Sequence, residues 1–212
     1  ITVTGGLQSE EYVRLTTETV RLFGCNAEFE TKNTIAVSGN YTDVPISLAA
    51  DPDDSLAAFW RAANKLGSNI RITETKQPFY FPEFSEIDGS QIPDYVPIAA
   101  LIASTKNGKT KFVNCARLRY KESDRIKSTV NLLNALGGKA DENEDGFTVV
   151  GVPQLEGGHV NSENDHRIAM TAAIAAVGCK RPVIISGAEA VGKSYPSFFE
   201  DYVSVGGIIK EV

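Results

Sequence analysis

Two short stretches concentrate charge where a helix is about to begin: "RLRYKESDR", residues 117–125, and "NDHR", residues 164–167. Each ends on an arginine, Arg125 or Arg167, placed in the first turn of an expected helix. A cation there faces the positive end of the helix dipole, which disfavours it by roughly 0.3–1 kcal/mol. The placement makes sense if an anion sits at the helix start, where guanidinium and free backbone N–H groups converge on it. The plainer alternative is that Asp124 and Asp165 cap their helices while the arginines point to water. A third stretch, "GAEAVGKS" from Gly187 to Ser194, fits the G-x-x-x-x-G-K-[ST] phosphate loop. Only 18 residues follow Ser194, and Pro196 falls inside the helix that should come next. A nucleotide-binding sheet needs more strands and a magnesium-binding acid beyond that point. The match reads as accidental, with Lys193 expected to meet a different phosphate.

The elements that must position these residues have readable ends. "SEEYVRLTTETVRLFG" has Ser9 at its expected N-cap and stops at Gly24. "DDSLAAFWRAANKLG" starts after Asp53 and stops at Gly67, and "DYVPIAALIAST" follows Asp94 with Pro97 in its first turn. "SDRIKSTVNLLNALGG" keeps Ile126, Val130, Leu133 and Leu136 near helical spacing, and "DHRIAMTAAIAAVG" is apolar nearly all round, as a buried helix would be. "SYPSFFEDYVSVG" is a further helix candidate. "TIAVSG", "NIRIT", "KTKFVN", "FTVVG" and "PVIIS" read as strands. Asp94 and Asp165 stand 71 residues apart, and Gly137 and Gly206 stand 69 apart. Two landmarks with nearly one period argue for a repeat of about 70 residues, in the order β-α-β-α-β-β. Asp53 precedes Asp94 by only 41 residues, so an earlier copy is either short by about 30 residues or lacks its second helix.

A net charge of −6 without a basic tail argues against nucleic acid or an anionic membrane as partner. No apolar run is long enough to span a bilayer and no signal peptide is visible, which points to a cytoplasmic protein. Cys25, Cys115 and Cys179 have no metal-ligand spacing and read as reduced core thiols. No metal site is expected.

"KESDR" and "DHRIAM", with "IPD" ahead of them and "GKSYPSFFEDY" after, resemble the C-terminal half of the EPSP synthase family (3-phosphoshikimate 1-carboxyvinyltransferases). The resemblance implies an α/β fold of repeated β-α-β-α-β-β units, the inside-out α/β barrel of the enolpyruvyl transferases, here incomplete at the N-terminus. It also implies transfer of the enolpyruvyl group of phosphoenolpyruvate to the 5-hydroxyl of shikimate 3-phosphate, with release of phosphate and without metal or organic cofactor. By motif, Asp94 is implied as the base and Lys121 with Glu122 as the proton-transfer pair. Lys121, Arg125, Arg167 and Lys193 are implied to bind phosphoenolpyruvate; Ser9, Tyr12, Asp94, Arg117 and Lys121 are implied to hold shikimate 3-phosphate. Arg117 stands where some relatives carry asparagine.

The family's N-terminal Lys-Ser, Arg and Ser-Ser-Gln contacts have no counterpart in these 212 residues. Residues 1–45 are therefore expected to be a remnant of the domain shared with a missing N-terminal half, and 46–212 the C-terminal domain. The chain alone is expected to be inactive, with that missing half as its partner. Two alternatives stay open: a UDP-N-acetylglucosamine enolpyruvyltransferase-like enzyme, and a noncatalytic module keeping half a site.

Overall fold

The computed structural model describes residues 1–39, 47, 49, 52–73, 81 and 85–212. The chain divides into two compact units, one of 1–51 with 90–92, the other of 52–89 with 93–212. The boundary expected at 45/46 lies outside the described residues.

In the first unit, helix α1 (Glu10–Leu22) lies on an antiparallel hairpin of β1 (Asn26–Thr31) and β2 (Thr34–Ser38). The N-terminal segment adds to the β2 edge, Ile35 N donating to Ile1 O at 2.9 Å. Ser9 occupies the N-cap position but with left-handed backbone (φ 54°), and its hydroxyl accepts nothing from the first turn. The Glu10 N–H goes instead to Gln91 Oε1 at 3.3 Å. Among the described residues of this unit Cys25, Ala27, Ile35 and Thr17 are buried, and Val13, Val20 and Val37 join them around an open groove of about 430 Å³.

The second unit runs α2 (Asp54–Lys65), β3 (Glu86–Asp88), α3 (Val96–Ser104), β4 (Lys109–Val113), α4 (Arg125–Ala135), β5 (Lys139–Asn143) and β6 (Gly146–Val150). It continues with β7 (Gly158–Asn161), α5 (His166–Ala175), β8 (Val183–Ser186) and α6 (Phe198–Ser204). From β3 to β6 this is the β-α-β-α-β-β order expected from the sequence, and β7-α5-β8-α6 repeats its first four elements. Four strands form one sheet in the order β3-β4-β6-β5, with β3 and β4 parallel and the rest antiparallel; β7 and β8 form a separate parallel pair. Every residue of α3 and of α5 is buried, whereas β4, β5 and β7 each bury a single residue and β8 none. Helices thus fill the middle of the unit, with α5 against α2, α3 and α4, and the sheets lie outside them. Phe112 of β4 stacks on its cross-strand partner Phe147 of β6 at 4.6 Å, and Trp60 of α2 stacks on Phe198 of α6 at 5.3 Å.

The helix ends expected from Asp53, Asp124 and Asp165 are present. Asp53 Oδ1 accepts from Ser55 N at 2.8 Å, Asp124 Oδ1 from Lys127 N at 3.1 Å, and Asp165 Oδ1 from Arg167 N at 2.9 Å. Asp94 does not cap α3; Tyr95 holds that position, with Pro97 in the first turn.

Two expectations need correction. "NIRIT", residues 69–73, forms no strand. Asn64 takes both backbone groups of Ile70, donating to its C=O at 2.8 Å and accepting its N–H at 2.7 Å. Seventy residues on, Asn134 holds Ala140 in the same way, at 2.8 and 2.9 Å. There the chain goes on as β5, because β6 is present to pair with it. The counterpart of β6 after Ile70 would fall largely on residues 74–80, outside the described residues. The shared device, together with the capping pair Asp53 and Asp124, makes α2 the counterpart of α4, the second helix of a unit. The shortened copy therefore keeps its second helix, and Asp53 does not correspond to Asp94.

Candidate active site

The N-terminal ends of α3, α4 and α5 meet in the second unit, and "IPD", "KESDR" and "DHR" meet with them. Asp165 is the fixed point. Its backbone is set by a tight turn in which Glu163 and Asn164 both take left-handed conformations (φ 52° and 57°), unusual for residues other than glycine. Ser162 anchors that turn, accepting Asn164 N at 3.2 Å and donating to Gly187 O at 2.9 Å. Gly187 is itself left-handed (φ 73°), and a β-carbon there would stand 2.5 Å from Ser162 Oγ. A side chain at 187 would press on the Ser162 hydroxyl that anchors the turn, so glycine suits this position.

From this point the Asp165 carboxylate, fully buried, accepts from Arg125 Nε at 2.9 Å, from Arg125 Nη2 at 3.3 Å and from Ser123 Oγ at 3.1 Å. Arg125 is equally buried. Its Nη1 donates to Asp94 Oδ1 at 2.9 Å, and its Nη2 also to Glu122 Oε2. Arg167 donates from Nη1 to Asp94 O at 3.1 Å and from Nη2 to Ser55 Oγ at 3.0 Å. Its Nε stands 3.7 Å from Asp94 Oδ1 and, although buried, has no hydrogen-bond partner. Lys121 Nζ lies 3.7 Å from the same Asp94 oxygen. Neither arginine points to water, so capping accounts for Asp124 and Asp165 but not for the side chains beside them.

The electrostatics derive from this packing. Burial pushes the Asp94 carboxyl up, but Arg167, Lys121 and Arg125 together outweigh it and hold the group below the usual carboxylate range. Asp165 is also held low, its burial overcome mainly by Arg125. Burial works against the charge on Arg125, yet Asp165, Glu122 and Asp94 keep it firmly protonated. His166 is pushed down, by burial first and then by Arg167. Its Nδ1 is buried without a hydrogen-bond partner, 4.0 Å from both Glu122 Oε1 and Asp165 Oδ1.

Lys193 closes the "GAEAVGKS" stretch, which is a short 3-10 turn over 188–193 rather than a phosphate cradle. Its N–H groups are engaged internally: Ala190 N on Gly187 O, and Ser194 N and Tyr195 N on Val191 O. The Lys193 ammonium reaches Asn164 O at 2.6 Å and is thereby tied to the turn that places Asp165. Arg117 is exposed in the 3-10 turn 116–120, while its neighbour Arg119 pairs with Asp124 at 2.7 Å. Ser9 and half-exposed Tyr12 belong to the first unit.

Three members of the cluster lie beyond what the motifs point to. Asp165 shows in the sequence only as a cap, His166 is hidden inside "DHR", and Ser55 has no signal in sequence at all. Among the described residues no group of His, Cys, Asp or Glu is arranged to hold a metal ion.

An α/β unit with helices inside and sheets outside has known structural counterparts. EPSP synthase from Acinetobacter baumannii superposes with a TM-score of 0.74 at 25% identity, covering 92% of this chain and 55% of that one. The enolpyruvyl transferase NikO from Streptomyces tendae shares the fold, with a TM-score of 0.69 at 17% identity over 98% of this chain and 55% of its own. The fold class is that of the enolpyruvyl transferases. The family description EPSP synthase (3-phosphoshikimate 1-carboxyvinyltransferase) matches residues 81–202, more than half of the chain, and the chain belongs to that family. It is 37% identical to the 3-phosphoshikimate 1-carboxyvinyltransferase of Clostridium acetobutylicum and 35% identical to that of Clostridium perfringens strain 13. Each match takes in all of this chain but only 56% and 57% of the relative, so the chain spans about half the length of the curated relatives it matches. The first runs over 238 aligned positions, 26 more than the 212 of this chain.

Proposed function

We propose that this chain is the C-terminal portion of an enzyme that transfers the enolpyruvyl group of phosphoenolpyruvate to the 5-hydroxyl of shikimate 3-phosphate. The observation that carries the reading is the gathering of Lys121, Arg125 and Arg167 around Asp94 at three helix starts. Asp94, held as a carboxylate, takes the hydroxyl proton as the oxygen bonds to C2 of phosphoenolpyruvate. A proton reaches the methylene carbon through the Lys121–Glu122 pair and returns to it as the C2–O bond to the phosphate group breaks; inorganic phosphate leaves with the hydroxyl proton that Asp94 had taken. Arg125 and Arg167 bind the carboxylate and phosphate of phosphoenolpyruvate, for which the planar fork of guanidinium is suited. The buried, unpartnered Nε of Arg167 supports this role, since such a donor costs about 1–3 kcal/mol until an acceptor arrives. Lys121 and Lys193 add charge to the same anion. Asp94, Lys121 and Arg117 hold shikimate 3-phosphate within the second unit.

The remaining part of the enzyme supplies the facing wall. The apolar groove of the first unit, lined by Val13, Val20, Ile35 and Val37, supports a covering by that part. Complementation tests the reading. With the missing region supplied, phosphate release should require both substrates and fall at least 10²-fold with Asp94→Ala, the usual range for loss of a general base. A loss within about twofold would remove Asp94 from that role.

A further inference from the structure

As an anion ligand, Arg125 meets an obstacle in the structure: its donors are already taken by carboxylates. They are not taken equally. The Nε–Nη2 edge lies against Asp165, which is fully buried and tied also by Arg167 N and Ser123 Oγ. The Nη1–Nη2 end is divided, Nη1 on Asp94 and Nη2 on Glu122. Asp94 has Lys121 and Arg167 beside it as well, and its side chain is 20% exposed. Glu122 is 37% exposed and sits in the irregular segment between the 3-10 turn and α4. Among the described residues its ion-pair neighbours within 4.0 Å are Arg125 and His166, and His166 Nδ1, at 4.0 Å, is too far for a hydrogen bond.

We infer, on the proposed role of Arg125 as a ligand of phosphoenolpyruvate, that Glu122 is an internal stand-in for the substrate anion: its carboxylate occupies Nη2 of Arg125 until phosphoenolpyruvate displaces it. A substrate carboxylate or phosphate bonds best to two guanidinium donors at once. Of the three acids on Arg125, only Glu122 can leave without stripping a buried charge of its other partners. Asp165 stays and keeps the guanidinium aimed. Displacement has a catalytic consequence, because Glu122 is then free to carry a proton only after the substrate is in place. It also guards the free protein against leaving a buried arginine half-paired, which is costly.

Losing the Glu122–Arg125 contact should tighten anion binding while turnover falls. The 212-residue chain is titrated at constant ionic strength with phosphoenolpyruvate, and separately with inorganic phosphate, following backbone amide shifts by NMR. Glu122→Gln, which loses the charge, and Glu122→Asp, which keeps it on an arm one methylene shorter, should both bind about threefold to tenfold tighter than the parent, part of what a charge-assisted hydrogen bond is worth. If only Glu122→Gln binds tighter, the effect is bulk charge and the stand-in is ruled out. If neither does, while Arg125→Gln still weakens binding, the displacement idea fails and the anion site survives. No saturable binding by parent or variants would overturn the anion site and, with it, the inference.

Discussion

Arg125 and Asp165, forty residues apart in the chain, form a pair in which both side chains are fully buried, with Nε–Oδ2 2.9 Å and Nη2–Oδ1 3.3 Å. Such a pair is weak evidence for stability against an apolar substitute, yet breaking it leaves a charge stranded. Asp165→Ala should therefore destabilise the protein by about 3–5 kcal/mol in urea unfolding, loss of the cap on α5 included. Asp124→Ala, a cap with a solvated carboxylate, should cost about 1 kcal/mol. Asp165→Asn keeps a capping oxygen and loses the charge, and should resemble Ala more than the parent. Equal effects of the Asp124 and Asp165 variants would show that capping is all that Asp165 does.

His166 gives a prediction in pH. Its proton affinity in the folded chain is lowered from the ordinary value of 6.5, by burial and by Arg167, against the pull of Asp165 and Glu122. The unfolded chain therefore binds the proton more readily as pH falls through 6.5, and stability drops until the lower folded value is reached. Thermal unfolding between about pH 7.5 and 5 should fall less steeply in His166→Gln than in the parent. Asp94 and Asp165, both depressed, act in a separate window: their contribution is present above the ordinary value of 3.8 and is lost as pH falls through the lower folded values. Parallel curves for parent and His166→Gln above about pH 5 would contradict the assignment.

Helix starts and stops are legible in the sequence because they are local. An Asp cap and a closing Gly declare themselves within a few residues, and Asp53, Asp124 and Asp165 all cap. Burial of Arg125 and Arg167 is not legible, since it depends on α3, α4 and α5 meeting: Arg125 reaches Asp94 across 31 residues and Arg167 reaches Ser55 across 112. The pattern of "NIRIT" suits a strand, but pairing depends on residues elsewhere in the chain, and 69–73 form no strand. The repeat is visible in Asp and Gly spacing, while the landmark that aligns α2 with α4 is a side-chain device, Asn64 on Ile70 and Asn134 on Ala140.

The "GAEAVGKS" stretch should bind no nucleotide. ATP and GTP with magnesium should show no saturable binding, because 188–193 form a 3-10 turn and Ala190 N, Ser194 N and Tyr195 N are already bonded to the chain's own carbonyls. Weak, salt-sensitive attraction to a cationic cluster is expected and is removed by added salt. A micromolar affinity lost in Lys193→Ala would contradict this.

In the completed enzyme the two arginines and the acids should separate kinetically. Arg167→Ala should raise KM for phosphoenolpyruvate as well as lower kcat, because it binds charge in the ground state too. Asp94→Ala should act mainly on kcat. An Arg167→Ala variant with unchanged KM would remove it from the anion site.

The most direct test of the central claim is phosphate release from phosphoenolpyruvate and shikimate 3-phosphate, measured on highly purified chain with and without a separately produced N-terminal half from a relative. On the proposed function one wall of cations would leave shikimate 3-phosphate unpositioned, and lost positioning alone can forfeit roughly 7–11 kcal/mol of barrier reduction. No release is expected from the chain alone, and release is expected when the half is added, disappearing with Lys121→Ala. Steady release that tracks the chain alone through purification and is lost with Lys121→Ala would contradict it, as would no release when the two parts form a folded complex.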